Sequence, residues 1–337
     1  MSFNKSENLC FQMVVAILSI TLSSSTYAEL HPFYINNQNP FIQIFGLPRA
    51  ETAIIAEPGH YIDISTLDIV NNTVQGETAG EKLVLDGETY RFNVALRYGV
   101  LKNTEVGFDI PLINHRPGRF DNFIRNWHDF FGLSNKEQEQ FEPNQLNYYY
   151  HANGNTAIDI HDNAMGIGDL RLSAASSKVS VLSWLPESLI YRASLKLPTG
   201  DSKKLMGSGS VDASLSVSGQ NNQALQEYYS EFAGQAGVLW LGNSDLFSAE
   251  QRNFVVFASS CIDWDYWKPL VFKAQLDYHS SFYKSDIGHL GKDSIQLTVG
   301  GAITISKNAH FDIGVSENLV TDSTPDIGLN LSLWLKL

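Results

Sequence analysis

Histidines with polar or acidic neighbours stand at three places in this 337-residue chain whose residue types could do chemistry. In Tyr150-His151-Ala152-Asn153-Gly154 the imidazole of His151 is a candidate general base. A base needs a hydroxyl or thiol beside it to make a nucleophile, and the neighbouring position is Ala152. Asp159-x-His161-Asp162 brings together three groups able to ligate a metal. No second ligand cluster at a suitable spacing supports it. His128-Asp129 has the composition of an acid–base couple, but adjacent residues of a helix diverge. Gly166-Ile167-Gly168 and Gly207-Ser208-Gly209 lead into strand-like sequence, so they lack the strand-to-helix setting of a phosphate cradle. The chain therefore reads as a non-enzyme: no catalytic, cofactor-binding or metal-binding residue is assigned, and no cofactor is expected.

The elements around these residues are strands. Residues 89–113, TYRFNVALRYGVLKNTEVGFDIPLI, alternate with period two. Tyr90, Phe92, Val94, Leu96, Val106, Phe108 and Ile110 oppose Arg91, Arg97, Glu105 and Asp109. This pattern predicts a hairpin turning at 101–103. Similar alternation recurs at 60–69, 166–178, 188–198, 209–219, 231–242, 253–264, 270–283, 293–306, 309–318 and 324–337, twelve candidate strands in all. Most run about 10 to 14 residues, long for globular strands and suited to tilted membrane crossing. With the first strand running outward, the outer connections are 70–87, 115–165, 199–208, 243–252, 284–292 and 319–323. Tight inner turns fall at 101–103, near Lys268-Pro269 and at 306–308. Long outer loops and short inner turns are the habit of outer-membrane β-barrels. The inner connections 179–187 and 220–230 are longer than that habit. The fold class expected is all-β, an antiparallel transmembrane barrel of about twelve strands with a long helix-containing loop.

In such a barrel the charged face turns inward. The lumen-facing charges expected are Arg91, Arg97, Glu105, Asp109, Asp169, Arg171, Arg192, Lys196 and Asp212. Opposite signs on neighbouring strands close a narrow lumen by cross-strand pairing. Lys196 opposite Asp212 would fix one register. A β-sandwich also alternates, but long strands and spaced charges of both signs disfavour it. In the long loop 115–165, Phe120, Phe123, Ile124, Trp127, Phe130 and Phe131 recur at helical spacing with Gly132 as a cap.

The N-terminus reads as an export signal. Lys5 precedes the apolar run 13–22, and Thr26-Tyr27-Ala28 fits a small-x-small cleavage site. Residues 1–28 are the expected signal peptide, 29–59 a periplasmic segment, and 60–337 the barrel. The formal net charge is -13, and removing Lys5 and Glu7 together leaves it unchanged. That balance disfavours nucleic acid as a partner. Of two cysteines, Cys10 falls in the signal and Cys261 remains, so no intramolecular disulfide is expected in the mature chain.

Several motifs carry a resemblance. They are Phe41–Ala50 ending FGLPRA, YR…RYG…TEVGFDIPLI, DNFIRNWHDFFGL, GIGDLRLS, and LKLPTGD…GSGSVD. Over about 40–337 the chain resembles the proteobacterial outer-membrane proteins of domain-of-unknown-function family 3187. The LKLPTGD…GSGSVD portion is also similar to outer-membrane transporters of aromatic-degradation clusters. The resemblance implies a barrel in the outer membrane of a Gram-negative bacterium, and it brings no catalytic residue. The outer-membrane phospholipase A motif resembles His-x-Ser-Asn-Gly; here the serine is missing and the spacing is one residue short.

Three functional readings follow, in order. The first is a narrow channel or transporter for small solutes, apolar ones included. The second is a structural or adhesion barrel with a filled lumen. A lipid-modifying enzyme comes last, because no nucleophile–base pair is legible. The partners expected are outer-membrane lipid, the barrel-assembly machinery and small solutes.

Overall fold

The computed structural model describes residues 31–120, 126, 141–142, 144–177, 189–221, 228–267, 269–319 and 327–337. Its strands are β1 (Tyr61–Glu77), β2 (Glu81–Leu101), β3 (Thr104–Arg116), β4 (Asn147–Ala152), β5 (Asn155–Ile160), β6 (Ala164–Ile167), β7 (Leu170–Ser176), β8 (Ile190–Leu197), β9 (Asp212–Asn221), β10 (Ser230–Leu241), β11 (Phe254–Trp264), β12 (Leu270–His279), β13 (Ser294–Ser306), β14 (Ala309–Asn318) and β15 (Ile327–Lys336). Among the described residues, β1–β3 and β7–β15 form one antiparallel wall of twelve strands. The wall closes where β1 pairs with β15, from Ile62↔Lys336 to Asn71↔Ile327. Closure removes the unpaired edges that a lipid environment would not satisfy.

The barrel is inside out. Along β2, Phe92, Leu96 and Val100 are exposed, while Asn93, Ala95 and Arg97 are buried. The same holds at Val106 and Ile110, and further round at Leu172, Leu195, Leu215, Val238, Val256, Leu276, Val299 and Ile313. A continuous exposed apolar belt costs too much in water and is what a bilayer requires. Aromatic rings crowd the rim at the short-turn end. Tyr61 stacks near Tyr98 at 4.6 Å, and Trp264, Tyr266 and Trp267 cluster at the β11–β12 turn. Such rings sit at membrane–water interfaces because one end is apolar and the other wet. Leu215, at 69% exposure, is the most exposed belt residue. Leu215→Arg is expected to destabilise the barrel by about 2–4 kcal/mol, read as a lowered denaturation midpoint in lipid vesicles. An unchanged midpoint would place Leu215 outside the bilayer.

The structure departs from the sequence reading at the other rim. Strands β1 and β2 run well past residue 69 and begin well before residue 88, pairing along their whole length out to Glu77↔Lys82. Within the connection 115–165, β4 and β5 form a hairpin lying on the extension of β2, and β6 pairs with the end of β3. Asn153 and Gly154 both have positive φ, 53° and 78°. Both central residues of a tight hairpin turn need that conformation, which Asn-Gly adopts cheaply. The stretch containing His151 is thus a hairpin rather than an irregular polar loop. Phe120 is exposed. The other residues of the expected loop helix, Phe123, Ile124, Trp127 and Phe130, lie outside the described residues, as do the signal 1–28 and the connection 179–187.

The largest correction concerns the segment expected to precede the barrel. Residues 31–52 are all buried. They run inside the wall. The chain enters at the short-turn end, where His31 stacks on His310 and packs on Trp334. It climbs to a tip at Phe41–Phe45, among Tyr150, Phe247, Phe282 and Tyr283. It then returns past Ala50, whose N–H bonds the carbonyl of Ile35 at 3.3 Å, and leaves by Pro58, bridged to Gly99, into β1. The physical reason is polarity. Ile35-Asn36-Asn37-Gln38-Asn39 carries amides that match a polar lumen, and the lumen's charges need partners that water cannot supply in a closed barrel.

Candidate functional site

The lumen and the segment 31–57 that fills it form the candidate site. In the half nearest the short turns the contacts are ionic. Arg97 of β2 donates to Asp109 Oδ1 of β3 at 2.5 Å, to Glu51 Oε1 at 2.7 Å and to the Tyr34 hydroxyl at 2.6 Å. Arg171 of β7 bonds Asp109 Oδ2 through Nε at 2.9 Å and through an Nη at 2.5 Å. Tyr34 O–H donates to the same oxygen at 3.0 Å. Arg192 of β8 bonds Glu105 Oε1 at 2.7 Å, and Glu105 Oε2 accepts the N–H of Ala56 at 2.8 Å. Tyr34, Glu51 and Ala56 belong to the inner segment, so the wall charges close on it as well as on one another.

A second lock gathers the residues of the GIGD, KLPTG and GSGSVD stretches. Lys196 and Asp212 stand directly opposite in the β8–β9 register, with 3.2 Å between Nζ and Oδ2. Lys196 also bonds Asp169 Oδ2 at 2.6 Å, Ser208, and the carbonyl of Ile44 at 3.2 Å. Asp169 accepts N–H bonds from Gly200 at 2.8 Å and Ser208 at 3.1 Å. Asp212 accepts from Gly242 at 3.0 Å and from Gly46 of the inner segment at 2.8 Å. A Cβ on Gly46 would lie 3.0 Å from that of Asp212, so only glycine lets the two backbones come this close without a shift.

The third contact is a salt bridge that joins segment to wall. Arg49 reaches Asp68 of β1 at 2.5 Å with both side chains buried, and it also donates to the carbonyl of Tyr34 at 2.5 Å. Asn330 of β15 bonds the other Asp68 oxygen at 2.6 Å. Near the entry, Lys273 of β12 bonds Asp312 at 3.0 Å and the carbonyl of His31 at 2.7 Å. At the opposite end the environment turns apolar. Phe41, Ile42, Ile44, Phe45 and Leu47 join one buried cluster with Leu83, Leu85, Tyr148, Tyr150, Phe247, Phe282 and Tyr283. The Tyr283 hydroxyl bonds the carbonyl of Phe41 at 2.5 Å.

Nine charges are named from the sequence as lumen-facing. Eight of them, Arg97, Glu105, Asp109, Asp169, Arg171, Arg192, Lys196 and Asp212, are ion-paired. Arg91 differs: it donates to the carbonyl of Gln43 at 3.2 Å and meets no carboxylate among the described residues. The hairpin therefore pairs Arg97 with Asp109 but sends Glu105 to Arg192. Sequence reasoning missed Tyr34, Gln43, Arg49, Glu51 and Asp68. The signal for them was an Asn- and Gln-rich stretch flanked by phenylalanines ahead of the first strand. Of the other groups with chemical potential, His161 pairs with Asp159 at 2.7 Å on the surface. His151 Nδ1 lies 3.1 Å from the Thr156 hydroxyl across the exposed β4–β5 hairpin.

Electrostatics tie the segment to pH at Glu51. Burial alone would push the Glu51 carboxyl up, but the Arg192 and Arg97 guanidiniums outweigh it and hold it below the usual glutamate range. A depressed carboxylate stabilises the seated state fully above its free value of roughly 4.3, and that stabilisation is lost as pH falls through the seated value. Space beside the segment is scarce. A cavity of about 20 Å³ lies by Asn36 and His279, and another of about 20 Å³ by Arg91 and Arg171. Each admits about one water molecule.

The family described as "Protein of unknown function (DUF3187)" matches residues 8–337. No curated protein matches the chain. Among solved structures, an outer membrane channel from Pseudomonas putida F1 superposes with a TM-score of 0.52 at 12% identity, covering 86% of this chain and 100% of that one. The NanC porin gives 0.44 at 7% identity, over 82% and 100%. The P. putida toluene transporter gives 0.38 at 12%, over 84% and 93%. The first shares the fold, and the exposed apolar belt is that of a membrane-spanning β-barrel.

Proposed function

The chain belongs to the DUF3187 family, and from that premise we propose that it is an outer-membrane channel for small solutes, closed by its own residues 31–57 and opened when they unseat. One observation carries this reading. The lumen is filled by a segment of the same chain that is tethered through residues 58–60 and held by hydrogen bonds and ion pairs, each of which can exchange for water. The fold it shares with a Pseudomonas putida outer membrane channel supports the same reading. The packed apolar cluster around Phe41–Phe45 would, once the segment unseats, leave apolar walls that favour apolar solutes on the side with the long connections. Export by a signal cleaved after Ala28, insertion by the barrel-assembly machinery and contact with outer-membrane lipid are part of the proposal. No catalytic step is.

Liposome swelling tests it. With arabinose-sized solutes, swelling by the reconstituted full chain is expected to be slow at pH 7 and to quicken only once the pH falls below the ordinary glutamate range, where the depressed Glu51 carboxylate takes up its proton. A second reading, a structural barrel with a permanently filled lumen, is favoured by the water-sized gaps beside the segment. Swelling that stays at the level of empty liposomes at every pH, even with residues 33–52 deleted and the barrel folded, would decide for that reading.

A further inference from the structure

At the short-turn end the lumen widens into a cavity of about 270 Å³, lined among others by Lys273, Lys307, Lys336, His31, His310 and Trp334. Asp263 is the one carboxylate among its lining residues. Asp312 lies close by but is bound by Lys273 at 3.0 Å. In a chain with a formal net charge of -13, Lys307 and Lys336 against Asp263, with Lys273 offset by Asp312, leave this mouth locally cationic by about one charge.

Its polar groups are built in rather than flexible. His31 is buried, and its ring stacks on His310 with 4.6 Å between centroids, while Trp334 packs on both. These contacts fix both imidazoles. Yet Nδ1 of His31, Nε2 of His310 and Nε1 of Trp334 are buried without a hydrogen-bond partner among the described residues, as is Oδ2 of the neighbouring Asp312. Buried polar atoms nearly always have a partner, so three such nitrogens beside one cavity point to a polar occupant. The volume corresponds to about nine waters at roughly 30 Å³ each, enough for a small anion with part of its hydration.

We propose that this vestibule binds a small soluble oxyanion, a phosphate or a carboxylate. Lys307 supplies compact positive charge, Lys336 adds to the positive field, and each imidazole can present an N–H donor at its unpartnered, fixed ring nitrogen. Lys273 is committed to Asp312 and to the carbonyl of His31, so it contributes field rather than a direct bond. Because His31 belongs to the lumen segment and His310 to the wall, an anion here bridges segment and wall. Binding is read on the closed barrel, so the proposal stands or fails apart from conduction.

The test is calorimetric titration of the full chain, folded in a non-ionic detergent at pH 7, with inorganic phosphate and separately with acetate. One saturable event is expected for at least one of the two anions. It is expected to weaken at least tenfold in the double variant Lys307→Gln/Lys336→Gln. Both lysines lie at the mouth, so the wall should persist, and heat-modifiable gel mobility verifies that it does. Lys82→Gln, at the opposite rim in an exposed pair with Glu77, is expected to leave binding unchanged. No saturable heat from either anion, or equal affinity in the folded double variant, overturns the proposal.

Discussion

Arg49→Met is expected to raise small-solute flux through the reconstituted barrel about a hundredfold at pH 7 while the wall stays folded. Arg49 belongs to the lumen segment, and its guanidinium is buried against Asp68 at 2.5 Å. Removing one partner of a buried pair strands the other charge and costs about 3–5 kcal/mol. The wall strands are held independently by their own ladders, including the β1–β15 closure. The cost therefore falls on the seated segment, and about 3 kcal/mol is roughly a hundredfold in the population that has left its seat. Methionine keeps much of the volume, so lost packing contributes less than lost charge. Adding Asp68→Asn to the variant removes the stranded carboxylate and is expected to recover part of the seating. Liposome swelling measures the flux, and heat-modifiable mobility reports the wall. Folded Arg49→Met with wild-type flux would mean that this pair does not seat the segment.

Arg97→Met is expected to lower the stability of the whole barrel by about 3 kcal/mol, the lower end for a broken buried pair. Its guanidinium serves Asp109, Glu51 and Tyr34 at once. Arg171 stays on Asp109 and Arg192 stays near Glu51 at 3.8 Å, so neither carboxylate is left wholly alone. That residual compensation is why the lower figure applies. The exposed Lys82–Glu77 pair gives the contrast, because Lys82→Met should change stability by less than about 1 kcal/mol. Denaturant unfolding in lipid vesicles compares the two. Equal midpoints for both variants would show that the Arg97 network is solvated rather than buried.

These expectations rest on a structure whose wall was legible and whose contents were not. Strict alternation at 89–113 put Phe92 and Val106 on one face and Arg97 and Asp109 on the other, because strand side chains have period two whatever surrounds them. The tight turn at 101–103 and the facing of Lys196 to Asp212 followed from the same local rule. The extension of β1 and β2 beyond the membrane was harder to read. Val74, Leu83 and Leu85 are buried there by the β4–β5 hairpin and the tip of the lumen segment, which are distant in sequence.

The segment 31–57 marks the boundary between the two kinds of information. It has no period, so nothing local distinguishes a chain lying outside the barrel from one threaded through it. Its place is set by partners far along the chain: Asp109 and Arg97 for Tyr34, Asp212 for Gly46, Asp68 for Arg49, Tyr283 for Phe41. By itself the amino-acid sequence determined the strands and which residues share a face of each, since both depend on residues two apart. Only the tertiary structure decided that the charged residues close on a segment of the same chain. The reason is that a buried charge is satisfied by whichever complementary group reaches it, and reach is a property of the assembled fold.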